Sequence, residues 1–338
     1  MTLSAARNFL SVALARALRG ALALVLLCTL AVAGAAEPAK LRVGVLKFGT
    51  VSWELDVIRA HGLDKRHGVA LEVVELANKD ATSIALQGGA VDMIVTDWLW
   101  VSRQRDSGAD FTFVPYSEAA GALMVRPGAG IATFADLAGK RLGVAGSSLD
   151  KSWLLLRAYA LRTVGRDLKD MVKPAYAAPP LLNEKLVQGE LDAVLTFWNF
   201  TARLEALGMV PLIEVQSVLP ALGVPGRLPL IGYVFSERFA AANGAAVQGF
   251  IAASRAAQAV MRDSDAEWER LRPLTGARDE ATLVALRDAY RRGIPGGNPR
   301  EHEAAMAAAF RVLAEVGGAA LVGQSAELAP GTVWQGVP

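Results

Sequence analysis

Two α/β lobes, each a mostly parallel sheet flanked by helices, are what this sequence predicts, and three observations predict it. The chain has 338 residues, enough for about two domains. From Leu41 onward, short apolar runs alternate with segments of helical period. A pattern Asp-x-x-x-Thr-x-Trp occurs at Asp92–Trp98 and again at Asp192–Trp198.

Taken in order, Leu41–Leu46 reads as a strand, Ser52–His61 as a helix stopped by Gly62, Val69–Leu76 as a strand, and Lys79–Gln87 as a helix stopped by Gly88 and Gly89. The strand Val91–Val95, the helix Trp98–Asp106 and the strand Phe111–Pro115 complete a first series. A second series runs through strand Ala122–Arg126, short helix Thr133–Ala138, strand Arg141–Ala145 and helix Ser148–Val164. It continues with strand Met171–Tyr176, helix Pro180–Gln188, strand Asp192–Phe197 and helix Asn199–Leu207. Strands separated by helices are the pattern of right-handed βαβ units. Beyond Tyr233-Val234-Phe235 the chain reads as almost all helix, around Ala240–Met261, Ala281–Arg292 and Pro299–Val316.

The repeat aligns Asp92 with Asp192, Thr96 with Thr196, Trp98 with Trp198 and Ser52-Trp53 with Ser152-Trp153. Each Trp falls where a strand meets a helix, and open α/β sheets bind ligands at the carboxyl ends of their strands. Two such edges facing each other make a cleft.

Residues 1–36 carry Arg7, Arg16 and Arg19 and no acid. An uncharged run, Gly20–Ala36, follows and ends in Ala33-Gly34-Ala35-Ala36. This is the pattern of an export signal cleaved near Ala35 or Ala36, which places the mature chain outside the cytoplasmic membrane. The uncharged run is shorter than the ~20 residues that a membrane span requires. Without residues 1–36, the 35 basic residues fall to 32 against 33 acidic ones. That leaves no excess positive charge for nucleic-acid phosphates. Cys28, the one cysteine, lies in the same stretch, so the mature chain has no thiol chemistry and no disulfide.

No catalytic set assembles, and the reading is a chain without enzymatic activity, cofactor or metal. His61, His67 and His302 are the only histidines, and none has metal-ligand spacing around it. Ser148-Leu149-Asp150-Lys151 fits Ser-x-x-Lys, but the companion motifs of that chemistry are missing. Binding chemistry remains. Ser147 or Ser148 can cap the helix that starts there, with Asp150 at its positive end. Such a start also presents N–H groups to a polar or anionic ligand group, and Lys79-Asp80-Ala81-Thr82-Ser83 offers the same. Five of the seven Trp (Trp53, Trp98, Trp100, Trp153 and Trp198) fall at strand–helix junctions. Trp98 and Trp100 are two apart and cannot share a helix face. One is expected in the cleft and the other inside, and the sequence leaves open which. Asp97 reads as a helix N-cap and as an acceptor for a ligand amine or hydroxyl.

Leu41-Arg42-Val43-Gly44-Val45, Gly68–Glu75, Ala85–Asp92, Ile131–Val144 with its Asp136-Leu137-Ala138-Gly139-Lys140, and Gln188–Val194 together resemble the nitrate/sulfonate/taurine-type, NMT1/THI5-like substrate-binding proteins of ABC importers. The resemblance implies a type II periplasmic-binding-protein fold. Lobe one would comprise 37–118 and 230–338, and lobe two 119–229. The crossings would lie near Ser117–Ala122 and Arg227–Gly232, and the C-terminal helices would pack on lobe one. It implies a monomeric receptor that captures a small organic solute and passes it to an ABC permease in the inner membrane. By position it places ligand contacts on Lys47, Trp53, Asp80, Thr96, Asp97, Trp98, Ser117, Ser147, Ser148, Asp150, Trp198 and Asn199. An acid and an indole follow the third strand, where relatives that bind simple anions favour small hydroxyl residues and Gly. That departure points to a ligand with an amine, hydroxyls or an aromatic ring. Two other readings share the fold: a periplasmic partner of a dehydrogenase or sensor, and an enzyme like the THI5-type pyrimidine synthases, whose Cys-rich signature this sequence lacks.

Overall fold

The structure, a computed structural model, describes residues 38–336 apart from residue 48. The expected export signal and Cys28 lie outside the described residues.

The chain forms two five-stranded sheets. The first joins β1 (Ala39–Leu46), β2 (Val69–Leu76), β3 (Met93–Thr96), β4 (Phe111–Ser117) and β10 (Ile231–Ser236) in the order β2-β1-β3-β10-β4. The second joins β5 (Ala122–Val125), β6 (Arg141–Ala145), β7 (Lys173–Ala177), β8 (Ala193–Thr196) and β9 (Val210–Glu214) in the order β7-β6-β8-β5-β9. The two orders match place for place. In each sheet one strand opposes the rest: β10 is antiparallel to β3 and β4, and β5 to β8 and β9. The opposing strand is always the one that has just arrived from the other sheet. A crossing delivers the chain to the carboxyl edge, so the next strand must run back down, whereas a βαβ helix returns it to the far edge.

Apolar residues fix which face each element buries. Leu41, Val43 and Val45 of β1 are buried, as the two-residue strand period requires. They share a core with Val57, Ile58, Phe250 and Ile251 from the helices Val51–Ala60 and Gly244–Asp263. A second core joins Val144, Trp153, Leu154 and Leu195 with Met306 and Phe310. The Gly244–Asp263 helix thus returns to the first sheet. Farther on, the helix Glu280–Arg292 packs on Trp198–Ala206, and Pro299–Gly317 packs on Lys151–Val164. The expectation that the C-terminal helices pack on lobe one therefore holds for Gly244–Asp263, whereas Glu280–Arg292 and Pro299–Gly317 pack on helices of the second sheet.

The repeat has a structural basis at the edge remote from the cleft. Asp92 accepts hydrogen bonds from the Arg42 backbone N–H (2.8 Å) and from its guanidinium (3.0 and 2.6 Å). Asp192 does the same for Arg141, at 2.8, 3.2 and 3.1 Å. Each aspartate ties the start of one central strand to its neighbour.

Two crossings connect the sheets, between Ser117 and Ala122 and between Glu214 and Ile231. Gln216 joins them, since its side-chain amide donates to the carbonyls of Glu118 (2.7 Å) and Leu228 (2.8 Å) and accepts from the Leu228 N–H (3.1 Å). Gly121 is required in the first crossing, because a Cβ there would sit 1.6 Å from the Thr196 carbonyl oxygen.

The residue patterns located most elements to within two or three residues. They missed β9, whose Pro211 and exposed flanks give no apolar alternation. They also started the helix after β6 too early, at Ser148 instead of Lys151.

Candidate functional site

The carboxyl ends of the strands and the two crossings enclose a cavity of about 460 Å³. Val45, Leu46, Val51, Val95, Leu230 and Ile231 form an apolar wall on the first-sheet side, and Phe197, Trp198 and Phe200 face them from the second. Leu46 and Phe197 remain 40% and 39% exposed, leaving apolar surface of the kind that a bound molecule covers. The polar lining is Thr50, Lys79, Thr82, Thr96 and Asp97 from one side and Asp150, Lys151, Ser152 and Asn199 from the other.

Helix starts supply most of that lining. Asn78 caps the helix Lys79–Gln87 by accepting from the Ala81 N–H at 2.9 Å. Asp97 caps Trp98–Asp106 through the Trp100 N–H at 2.9 Å, and Asp150 caps Lys151–Val164 through the Trp153 N–H at 3.2 Å. The helix Trp198–Ala206 follows Phe197 and has no side-chain cap. The positive ends of several helix dipoles thus converge on one space.

Charge is concentrated on Asp97. Its Oδ2 accepts from Lys79 Nζ at 2.5 Å and lies 3.3 Å from Lys151 Nζ. Burial pushes the Asp97 carboxyl up, but the ammonium groups of Lys151 and Lys79 and the Trp100 N–H outweigh it and hold the acid well below its ordinary value. Asp150 shifts the other way. Burial raises it, Lys151 and the N–H groups of Trp153 and Ser152 offset part of that, and Asp97 adds to the rise.

Thr96, Asp97, Asp150, Trp198 and Asn199 of the expected residues line the cavity. Thr96 is buried, and its hydroxyl has no hydrogen-bond partner among the described residues. The other expected residues lie elsewhere. Lys47 is exposed in the turn after β1, and Asp80 is exposed on the helix that Lys79 begins. Ser147 and Ser148 are exposed in the turn before Lys151, where Ser147 Oγ accepts from the Leu149 N–H at 3.2 Å. The capping expected of these serines falls to Asp150, because the helix begins three residues later. Ser117 is buried at the first crossing, accepting from the Ala119 N–H (3.1 Å) and donating to the Gly293 carbonyl (3.4 Å).

The aromatic residues divide differently from the expectation. Trp53 is a core residue, edge-on to Trp198 at 5.9 Å and to Trp268 at 6.1 Å. Trp98 is fully buried, with its indole N–H donating to the Pro229 carbonyl at 2.9 Å. Trp100 packs on Phe111 at 5.3 Å. Neither ring of that pair lines the cavity, and its indole is Trp198.

Residue types alone did not single out Lys79 and Lys151. A signal was present, because each is the first residue of its helix. A cation there opposes the macrodipole, so two of them, one on each side of a cleft, call for a functional reason. Among the described residues no cluster of three or more His, Cys, Asp or Glu could hold a metal ion, and no helix is long and apolar enough to cross a membrane.

Known proteins share this architecture. The family described as NMT1/THI5 like matches residues 57–267. The putative aliphatic sulfonates-binding protein of Escherichia coli K12 is 28% identical over 261 residues, covering 76% of this chain and 75% of its own length. In fold, the chain is similar to the periplasmic aliphatic sulphonate binding protein of Escherichia coli, with a TM-score of 0.69 at 23% identity over 88% of this chain and 92% of the other. It is similar to the alkanesulfonate-binding protein of Xanthomonas axonopodis pv. citri, a structure bound to MOPS, with a TM-score of 0.65 at 23% identity over 89% and 99%.

Proposed function

Because the chain belongs to the NMT1/THI5-like family, we propose that its cleft captures a small organic anion of the aliphatic sulfonate class for an ABC importer. The protein is a solute-binding receptor of the two-lobe kind and not an enzyme. One observation carries the ligand class: Lys79 and Lys151 reach the same cavity from opposite sides, next to an apolar wall of Leu46, Val51, Phe197 and Ile231. An alkyl chain fits the wall, and a compact anion fits the ammonium groups and the helix starts. The similarity to an aliphatic sulfonates-binding protein supports the same class.

This reverses the sequence-based expectation of a ligand amine. Asp97 Oδ1 accepts from the helix-cap N–H and Oδ2 faces two lysines, so a ligand ammonium group would have to compete with two resident ammonium groups for the acid. We place the mature receptor in the periplasm, as a monomer that delivers its ligand to an inner-membrane permease. We take 37–118 with 230–338 as lobe one and 119–229 as lobe two, with the helices Glu280–Arg292 and Pro299–Gly317 reaching over to pack on helices of lobe two.

A thermal-shift screen of straight-chain alkanesulfonates, alkylamines and polyols tests the class. Sulfonates should raise the melting temperature, with the rise growing along the first few methylenes, since each buried CH₂ contributes about 0.8 kcal/mol. Stabilisation by amines or polyols and none by sulfonates would overturn the assignment.

A further inference from the structure

We infer that Asp97 is the cleft's resident anion: it bridges the lobes through Lys151, and an incoming ligand anion must compete with it for that lysine. The inference rests on reading the cleft as an anion site and adds how that site regulates its own closure.

The geometry carries it. Asp97 is fixed to the first lobe, because its Oδ1 accepts from the Trp100 N–H and its Oδ2 from Lys79 of the same lobe. Lys151 belongs to the other lobe, at the start of the helix after β6, and its Nζ stands 3.3 Å from the same Oδ2. The Lys79 side chain is 54% exposed, whereas those of Lys151 and Asp97 are 21% and 7% exposed. The contact across the cleft is therefore the drier of the two and the less screened by solvent and salt.

Two consequences follow from a carboxylate held in that position. Closing the lobes makes an ion pair without any ligand, so the empty receptor is biased toward closure. A ligand anion finds both lysines already engaged, and Asp150 adds a second acid to the same lining, so the anion must displace a carboxylate from Lys151.

The test compares Asp97→Asn, Lys151→Gln and the double variant with wild type. Asparagine keeps an oxygen for the Trp100 N–H, so the helix cap survives. Small-angle scattering without ligand should give a larger radius of gyration for each single variant, and the double variant should open no further than either, the signature of one shared interaction. Titration with 1-butanesulfonate should show Asp97→Asn binding about three- to tenfold more tightly than wild type. Single variants as compact as wild type overturn the bridge, and unchanged or weaker binding by Asp97→Asn overturns the competition. If wild type ignores butanesulfonate, the sulfonate reading falls and the scattering still decides the bridge. If Asp97→Asn fails to fold, Lys151→Gln carries the scattering from the other lobe.

Discussion

The ends of β3 and β8 hold equivalent places in their sheets and read Thr96-Asp97-Trp98 and Thr196-Phe197-Trp198, yet they make opposite contributions. After β3 the charged residue faces the cavity and caps its helix, while Trp98 is sealed in the core. After β8 the aromatic pair faces the cavity and the helix has no side-chain cap. At the remote edge of the sheets the same repeat keeps its chemistry, with Arg42–Asp92 matched by Arg141–Asp192. Strand pairing constrains both copies at that edge, whereas at the cleft each lobe is free to provide a different part of one binding surface. Substitutions at matched positions test this contrast.

The largest expected difference concerns the two indoles. Trp98→Ala should cost about 3–5 kcal/mol in urea unfolding, as large-to-small core changes do, and it strands the Pro229 carbonyl. The affinity of the folded fraction for butanesulfonate should stay the same. Trp198→Ala should lower that affinity measurably. Equal losses of affinity in both variants would erase the division between core and cleft.

A smaller effect is expected at the remote edge. Asp92→Asn removes a charged partner of the partly exposed Arg42, for about 1 kcal/mol once solvent screening is allowed for. Asp192→Asn should lower the melting temperature by less, because its side chain and that of Arg141 are more exposed. Neither should alter ligand affinity, and a loss of binding in either would place that edge in the site.

The smallest effect is a flat pH response. Lys79, Lys151 and Asp150 are the charged groups facing Asp97, and the two lysines hold its folded value low. Its stabilisation is thus complete above the unfolded value of about 3.9 and is lost only as pH falls through the lower folded value. The difference in radius of gyration between wild type and Asp97→Asn should persist from about pH 8 to about pH 5 and vanish only in stronger acid. A difference that fades between neutrality and about pH 5 would contradict the pairing.

Much of this architecture is legible in the residues. Alternating apolar runs reveal the βαβ units, and the Asp92/Asp192 repeat reveals the paired sheets. The antiparallel sense of β5 and β10 is not legible, because it follows from where a crossing enters and not from a strand's own composition. The site is only partly legible. Asp97 and Trp198 stand out by type and position, but whether an indole at a strand end turns inward or outward depends on packing partners distant in sequence. Pro229 claims Trp98, and Trp53 and Tyr290 flank Trp198. The pairing of Lys79 with Lys151 across the cleft is a tertiary fact, visible in sequence only as a lysine at the wrong end of two helices.

On the proposed reading Lys151 holds the bound anion from the second lobe, so its removal is the decisive substitution. Isothermal titration of wild type and Lys151→Gln with 1-butanesulfonate should give saturable one-to-one binding in wild type. The variant should bind about ten- to a hundredfold more weakly, the weight of a charged hydrogen bond, and should also melt lower, because the buried Asp97 loses one of its two ammonium partners. Equal affinity in the two proteins would contradict an anion held between the lobes.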